Sequence, residues 1–480
     1  MRQHRVMMGV SLAALATLAV AGSAKAESAG QRAVDAAKKY AGTEISIVWE
    51  AGLQSLDPLN FSGPKWEKLT GIKVKVIEVP TADMFTKILQ EHRARTGAYD
   101  ALNVVPTWMA DLVRAGALEP LDSYVDRYGF RKELDKIAPT YRDNQMTVDG
   151  KIYGFPDDGD IFILYYRKDL FADPKNRAAF KAKYGYDLGP PKTWKQYDQI
   201  GQFFTNKYAP KVYGAGQFRQ PAYSQLLFQE RFRVEGGKFF DPKTMKATVN
   251  SDIGVKVFDG MRAENKFMPP GVESWGFVEA LSAFLNGDIA MTISWPPFGR
   301  WAAGYGVDDE ALSWVPKSKI ADKVGYALPP GGTPELALGF SLAVSASSKH
   351  KEAAYLFIQW LNSEEISLQR VQLPYALRDP FRESHYTDKE YMSRWADAPK
   401  FLKTLRAGAD TGLLDLSLLQ IDKYEEVLRQ AMTRLWAGDP SKQILDDVAA
   451  QWDTLTRKIG TDKQRAAYKS WASKPNAYPN

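Results

Sequence analysis

Asp157, Asp158 and Asp160 stand in the stretch YGFPDDGDIFILYYRKDLF, immediately ahead of an apolar, aromatic run. Carboxylates so placed suit three chemistries: acid–base catalysis, cation ligation, or acceptance of hydrogen bonds from a polar ligand. Glycosidase carboxyls flank the scissile bond and normally come from separate strands. Here they are close neighbours in sequence. The quartet also lacks the ligand spacing and distal Glu of a calcium loop. An ionised carboxylate is acceptor-only and takes two hydroxyls at once. Acceptance is therefore the favoured reading. Of Asp157 and Asp158, one is expected to reach the ligand. The competing reading is a carboxylate that merely caps a turn.

Other chemistries find no support. There is no GxSxG elbow, no HExxH and no GxxxxGK[ST] phosphate loop. The four histidines, His4, His92, His350 and His385, are scattered, which argues against a triad or a His-rich metal site. With no cysteine, thiolate chemistry and Cys-zinc sites are absent.

The elements that must position these residues alternate. Glu44–Glu50 (EISIVWE) and Ile72–Val79 (IKVKVIEV) read as strands, and Tyr99–Val105 as a short buried one. A helix is expected over Asp83–Arg95, and Thr107 is a candidate N-cap for the next. Such alternation indicates a parallel α/β layer. Thr193 and Gln196 have capping-box spacing ahead of Trp194, Tyr197, Ile200 and Phe203. Gly254–Met261 and Val278–Phe284 read as helices, and Asp288–Ser294 as a strand. LGFSLAVSA is a strand, Lys351–Leu361 an apolar helix, and Arg378–Glu383 a loop. Helices Tyr424–Trp436 and Ser441–Ile459 each end at a glycine. Lys474–Asn480 is expected to be loose.

The 480-residue chain opens with Arg2, His4 and Arg5, an apolar run to about Ala21, and Ala24-Lys25-Ala26. This reads as a signal peptide over residues 1–26, cleaved near Glu27. Removing Arg2, Arg5 and Lys25 takes the formal charge from +6 to +3, too little for a nucleic-acid footprint. Export without disulfides fits the bacterial periplasm. Aromatics make up 12% of the chain, with 13 Trp, and such side chains fill cores or stack on sugars.

Six segments resemble, in order and spacing, bacterial extracellular solute-binding proteins of family 1, the group that includes maltose-binding protein. They are YDALNVVPTWMADLVRAGALEPLD, YGFPDDGDIFILYYRKDLF, PPKTWKQYDQI, FLNGDIAMTISWPPF, LAVSASSKHKEAAYLFIQWLNSEE and YEEVLRQAMTRLWAGDPSKQILDDV. The resemblance implies an α/β, two-lobe periplasmic binding protein fold of type II, its discontinuous lobes joined by crossing hinge strands. Residues 27–157 plus 340–380 would form the N-terminal lobe, and 158–339 plus 381–480 the C-terminal lobe. The chain would cross near Pro156–Phe162, return near Leu336–Phe340, and cross again within Leu373–Leu402.

It also implies a receptor that binds a small carbohydrate or polyol in the interlobe cleft and delivers it to the membrane permease of an ABC importer. No cofactor, metal, nucleic-acid partner or enzymatic step is expected, and the protein is expected to be a monomer. Asp160 then falls where the family carries an acidic ligand contact. Trp49 and Glu50 end a strand at the cleft. Thr107 and Trp108 match a contact stretch, although the family's maltose receptor has a charged pair there, a departure that argues against a maltodextrin. Trp295 and Phe298 follow the strand in SWPPFGRW, and with Trp301 they compete to stack on the ligand. Phe340 sits where many relatives show Gly-Gly, and Arg378 where sugar binders carry a cleft Arg. Asp158, Gln217, Tyr223 and Tyr424 complete the candidates. The alternative is a secreted glycoside hydrolase acting through cleft carboxylates.

Overall fold

The computed structural model describes residues 27–479; the expected signal peptide lies outside the described residues. Strands β1 (Glu44–Glu50) and β2 (Lys73–Val79) pair in parallel along their full length, and β3 (Ala101–Val104) joins β1 on its other side, also in parallel. This is the layer that the alternating pattern predicts. β1 is mostly buried because it lies inside the sheet, whereas edge strand β2 shows solvent its Lys73, Lys75 and Glu78. A hairpin of β4 (Thr147–Val148) and β5 (Lys151–Ile152) turns through Asp149-Gly150, both left-handed as a two-residue turn requires.

β6 (Gly154–Asp158) closes the far edge of the first sheet. β7 (Ile163–Arg167), β8 (Met291–Ser294) and β9 (Val324–Ala327) form a second, antiparallel sheet in the order β8-β7-β9. β10 (Phe340–Val344) returns to the first sheet, antiparallel to both neighbours, giving the order β2-β1-β3-β10-β6. The chain therefore passes between sheets twice, over 159–162 and 328–339. A third passage lies in 372–397. Before it, helix Glu364–Val371 packs on helix Ala29–Ala37; after it, helix Ala398–Thr411 packs on β7 and β9.

Thr193 caps helix Trp194–Tyr208 as expected, accepting the Gln196 N–H, and Gln196 Oε1 accepts Lys192 N–H at 2.7 Å. Two local expectations fail. Thr107 does not cap a helix. It lies within a 3-10 turn, Pro106–Trp108, because Pro106 starts the turn one residue early. Nor is the C-terminal segment loose. Leu414 N–H bonds Asn476 O at 3.0 Å, Arg233 Nη1 donates to Ala477 O at 2.9 Å, and Tyr478 packs on Trp471. A buried arginine that needs carbonyl acceptors pins a tail whose composition gives no sign of it.

Candidate functional site

The three inter-sheet passages meet at DDGD. Gly159 N–H bonds Asp379 O at 3.1 Å, and Tyr141 Oη donates to Gly159 O at 2.9 Å. A Cβ on Gly159 would lie 2.2 Å from Pro380 O, so only glycine permits this approach. Asp157, Asp158 and Asp160 then diverge. Asp157 faces inward: Oδ1 lies 2.6 Å from Arg370 Nη2, and Oδ2 lies 3.2 Å from Arg378 Nε and accepts Asn103 Nδ2 at 3.0 Å. Asp158 is fully buried, accepting Asp379 N–H at 2.8 Å and Gln54 Nε2 at 2.9 Å. Burial pushes its carboxyl up to about 6 against the pull of Arg378. Asp160 bonds Gly339 N–H at 3.2 Å and borders open space.

That space is a cavity of about 300 Å³, at the small end of ligand sites. Glu50, the last residue of β1, and Gln54 just beyond it contribute to its lining. Tyr223, Phe277 and Trp295 line it as well, with Leu338 of the second passage and Phe340 at the start of β10. Trp295 is fixed by Nε1 donating to Ala337 O at 3.0 Å and by stacking on Phe218 at 5.3 Å. Tyr223 meets it edge-on at 5.3 Å. Val278 at the rim is 49% exposed, unusual for an apolar side chain of this size. Desolvation raises Glu50, and its carboxylate accepts from Thr81 Oγ1. Asp160 is raised well above the usual carboxylate range, first by burial and then by Asp158 and Asp379.

The sequence candidates separate into three groups. Glu50, Asp160, Trp295 and Phe340 line this cavity together, with Tyr223. Thr107 lines a second, wider groove of about 680 Å³, bounded by Asn144, Asp415, Trp471 and Lys474. The rest line neither. Trp49 is fully buried, with the Arg378 guanidinium 5.1 Å from its ring. Trp108 packs on Phe85, and Phe298 is sealed between Tyr165 and Phe277. Trp301 is interior as well, its Nε1 bonded to Pro374 O at 3.0 Å. Gln217 bonds the Tyr197 hydroxyl at 3.1 Å, and Tyr424 bonds Thr456 and Gln464.

Arg378 departs most from expectation. It does not line the cavity. Fully buried, it donates to Gln54 Oε1 and, at 2.9 Å, to Gln54 O, while Nε lies near Asp57 and Asp157. Asp379 instead lies 3.5 Å from Arg300. Arg378 thus orients Gln54, a cavity residue that sequence reasoning missed. Phe277 and Leu338 were missed as well. Each owes its place to loop or helix-end geometry. A hint lay in the apolar Phe277-Val278 pair that opens a helix after Gly276, because one of the two has no core to enter.

The family model for bacterial extracellular solute-binding proteins matches residues 46–367. A probable ABC transporter-binding protein of Deinococcus radiodurans is 30% identical over 351 residues, 71% of this chain and 76% of that one. A probable amino-acid ABC transporter periplasmic-binding protein of Sinorhizobium fredii is 24% identical over 82% of this chain and 85% of its own length. The crystal structure of an ABC transporter solute-binding protein from Agrobacterium radiobacter K84 in complex with ribitol has a TM-score of 0.70. It is 22% identical, covering 86% of this chain and 99% of that one. The shared fold is that of the type II periplasmic binding proteins.

Proposed function

Because the chain belongs to the family of bacterial extracellular solute-binding proteins, we propose that it is the periplasmic receptor of an ABC importer for a small carbohydrate or polyol. The family is one of binding proteins, and the matched relatives give glycoside hydrolysis no support. On this reading the protein makes and breaks no covalent bond. It acts as a monomer, is exported by the removable segment before Glu27, and hands its ligand to membrane permease subunits. Residues 27–157 plus 340–380 and residues 158–339 plus 381–480 are the two bodies that close on the ligand by hinge motion.

One observation carries the reading: Glu50, Asp160 and Trp295 line one cavity, to which the ends of strands from both sheets and the second passage between them contribute. Carbon–hydrogen faces of a sugar or polyol lie on the indole and exclude water from apolar surface, while its hydroxyls donate to the carboxylates. A free α-amino acid fits less well. Among the described residues, none that lines this cavity is Arg, Lys or His, so its carboxylate finds no cation.

The wider groove supports a second reading, a longer oligosaccharide. There Thr107 Oγ1 and Asp415 Oδ1 are buried without hydrogen-bond partners. Asp415 is pushed up to about 6 by burial.

Melting the protein with a panel of sugars and polyols tests the function. A ligand at 100 times Kd adds about 2.7 kcal/mol of stability. The reading expects an upward shift with the ligand recovered unchanged. Turnover of the ligand, or no shift with any member of the panel, contradicts it.

A further inference from the structure

Acidic and basic groups around the cavity are unequal in number. Five buried carboxylates, Asp57, Asp157, Asp158, Asp160 and Asp379, surround three buried guanidiniums, Arg300, Arg370 and Arg378. None of those guanidiniums lines the cavity. Arg370 is held by Asp57 and Asp157, Arg378 by Gln54 and the same two aspartates, and Arg300 by the carbonyls of Val371 and Ala376 beside Asp379. The only ionisable side chains that line the cavity, among the described residues, are the acids Glu50 and Asp160 and the phenol Tyr223. Around them stand the rings of Tyr223, Phe277, Trp295 and Phe340, with Phe277 and Tyr223 both angled against Trp295.

Acceptors alone would satisfy a neutral polyol. Desolvating two carboxylates against a neutral ligand, however, leaves negative charge without an opposite partner, and that is costly. An ammonium supplies three donors and one positive charge, and aromatic faces attract it electrostatically. We propose that this cavity selects a small polyhydroxylated ligand that also carries an ammonium group, an amino polyol or amino sugar. This inference rests on the reading of the cavity as the ligand site.

The ionisable groups facing the two acids set a pH signature. Asp160 is met by Asp158, Asp379, Glu50 and Tyr141, and Glu50 by Arg378, Asp158 and Tyr223. Burial raises both acids, so the empty protein keeps protons on them to higher pH than free carboxyls would. A cation favours the ionised forms and expels those protons. Its affinity therefore rises with pH through the raised range until the amine itself loses charge, which the neighbouring oxygens of an amino sugar bring below the ~10 of a simple alkylamine. A neutral polyol, which brings hydroxyl donors but no charge, shows a smaller rise.

Calorimetry of the purified exported protein decides the matter, using D-glucitol against 1-amino-1-deoxy-D-glucitol, and D-glucose against D-glucosamine. At least one amine should bind tenfold or more tightly than its neutral partner. Its affinity should strengthen from pH 5 to 7.5. In Glu50→Gln, and separately in Asp160→Asn, the amine-to-neutral ratio should fall toward one. A neutral member that binds as well as its amine, or an amine affinity flat in pH, overturns the inference and leaves the carbohydrate reading standing. Silence from both pairs overturns the inference, and only silence from the whole sugar and polyol panel removes the carbohydrate reading as well.

Discussion

The carboxylate of Asp160 is tied to the backbone N–H of Gly339, at 3.2 Å. The first passage between the sheets is thereby locked to the second. Ala337, Leu338 and Gly339 all have positive φ, and for Leu338, at +84°, this is strained. Such backbone persists only where its surroundings over-determine it, and it clusters at ligand clamps and switches. Here Trp295 Nε1 holds Ala337 O and Asp160 holds Gly339 N–H, so two cavity residues clamp the strained turn. Replacing Asp160 with Ala is expected to weaken ligand binding more than tenfold by calorimetry while the circular dichroism spectrum stays native. Unchanged affinity would remove Asp160 from the site.

Trp295 carries both packing and stacking. Trp295→Ala should cost about 3–5 kcal/mol in urea unfolding, the range for truncating a buried large aromatic. Trp295→Phe keeps a ring against Phe218 and Tyr223 and should recover most of that stability, losing only the bond to Ala337 O. Ligand affinity should fall in both variants. Full affinity in the Ala variant would place the ligand elsewhere.

Arg378 is expected to be a stability residue. Arg378→Leu strips a charge partner from Asp57 and Asp157 and a donor from Gln54. Breaking one side of a buried ionic network costs about 3–5 kcal/mol. Denaturant titration should show that loss. A variant of native stability that fails to bind ligand would restore the direct ligand role expected from sequence.

Glu230 predicts a pH effect far from the cavity. It is fully buried, neither oxygen has a hydrogen-bond partner, and desolvation raises it from 4.5 to about 8. The folded state thus holds this proton more tightly than the unfolded state does. The group's penalty is absent below 4.5 and grows as pH climbs toward 8. Glu230→Gln should therefore gain melting temperature over the parent at pH 8, and much less at pH 5. An equal change at both pH values would contradict the assignment.

The legible parts of the sequence were those with local physical causes. Alternation in EISIVWE and IKVKVIEV yields β1 and β2, and Thr193-to-Gln196 spacing yields a real cap. The short acidic quartet marked the first passage because Gly159 and its carboxylates are needed there. Trp49, Trp108 and Phe298 could not be separated from Trp295 by type or position, since all follow or end strands. Which one faces a void depends on packing from distant segments such as Tyr223 and Phe277. Arg378 went inward because Asp57, 321 residues earlier in the chain, waits there, a pairing no local pattern records.

A crystal grown with the tightest ligand from the panels is the most direct test. The account predicts ligand density between Trp295 and the Glu50–Asp160 pair, with hydroxyl or ammonium groups within hydrogen-bond distance of both carboxylates. Density confined to the wider groove beside Thr107 and Trp471, with Asp160 untouched, would contradict it.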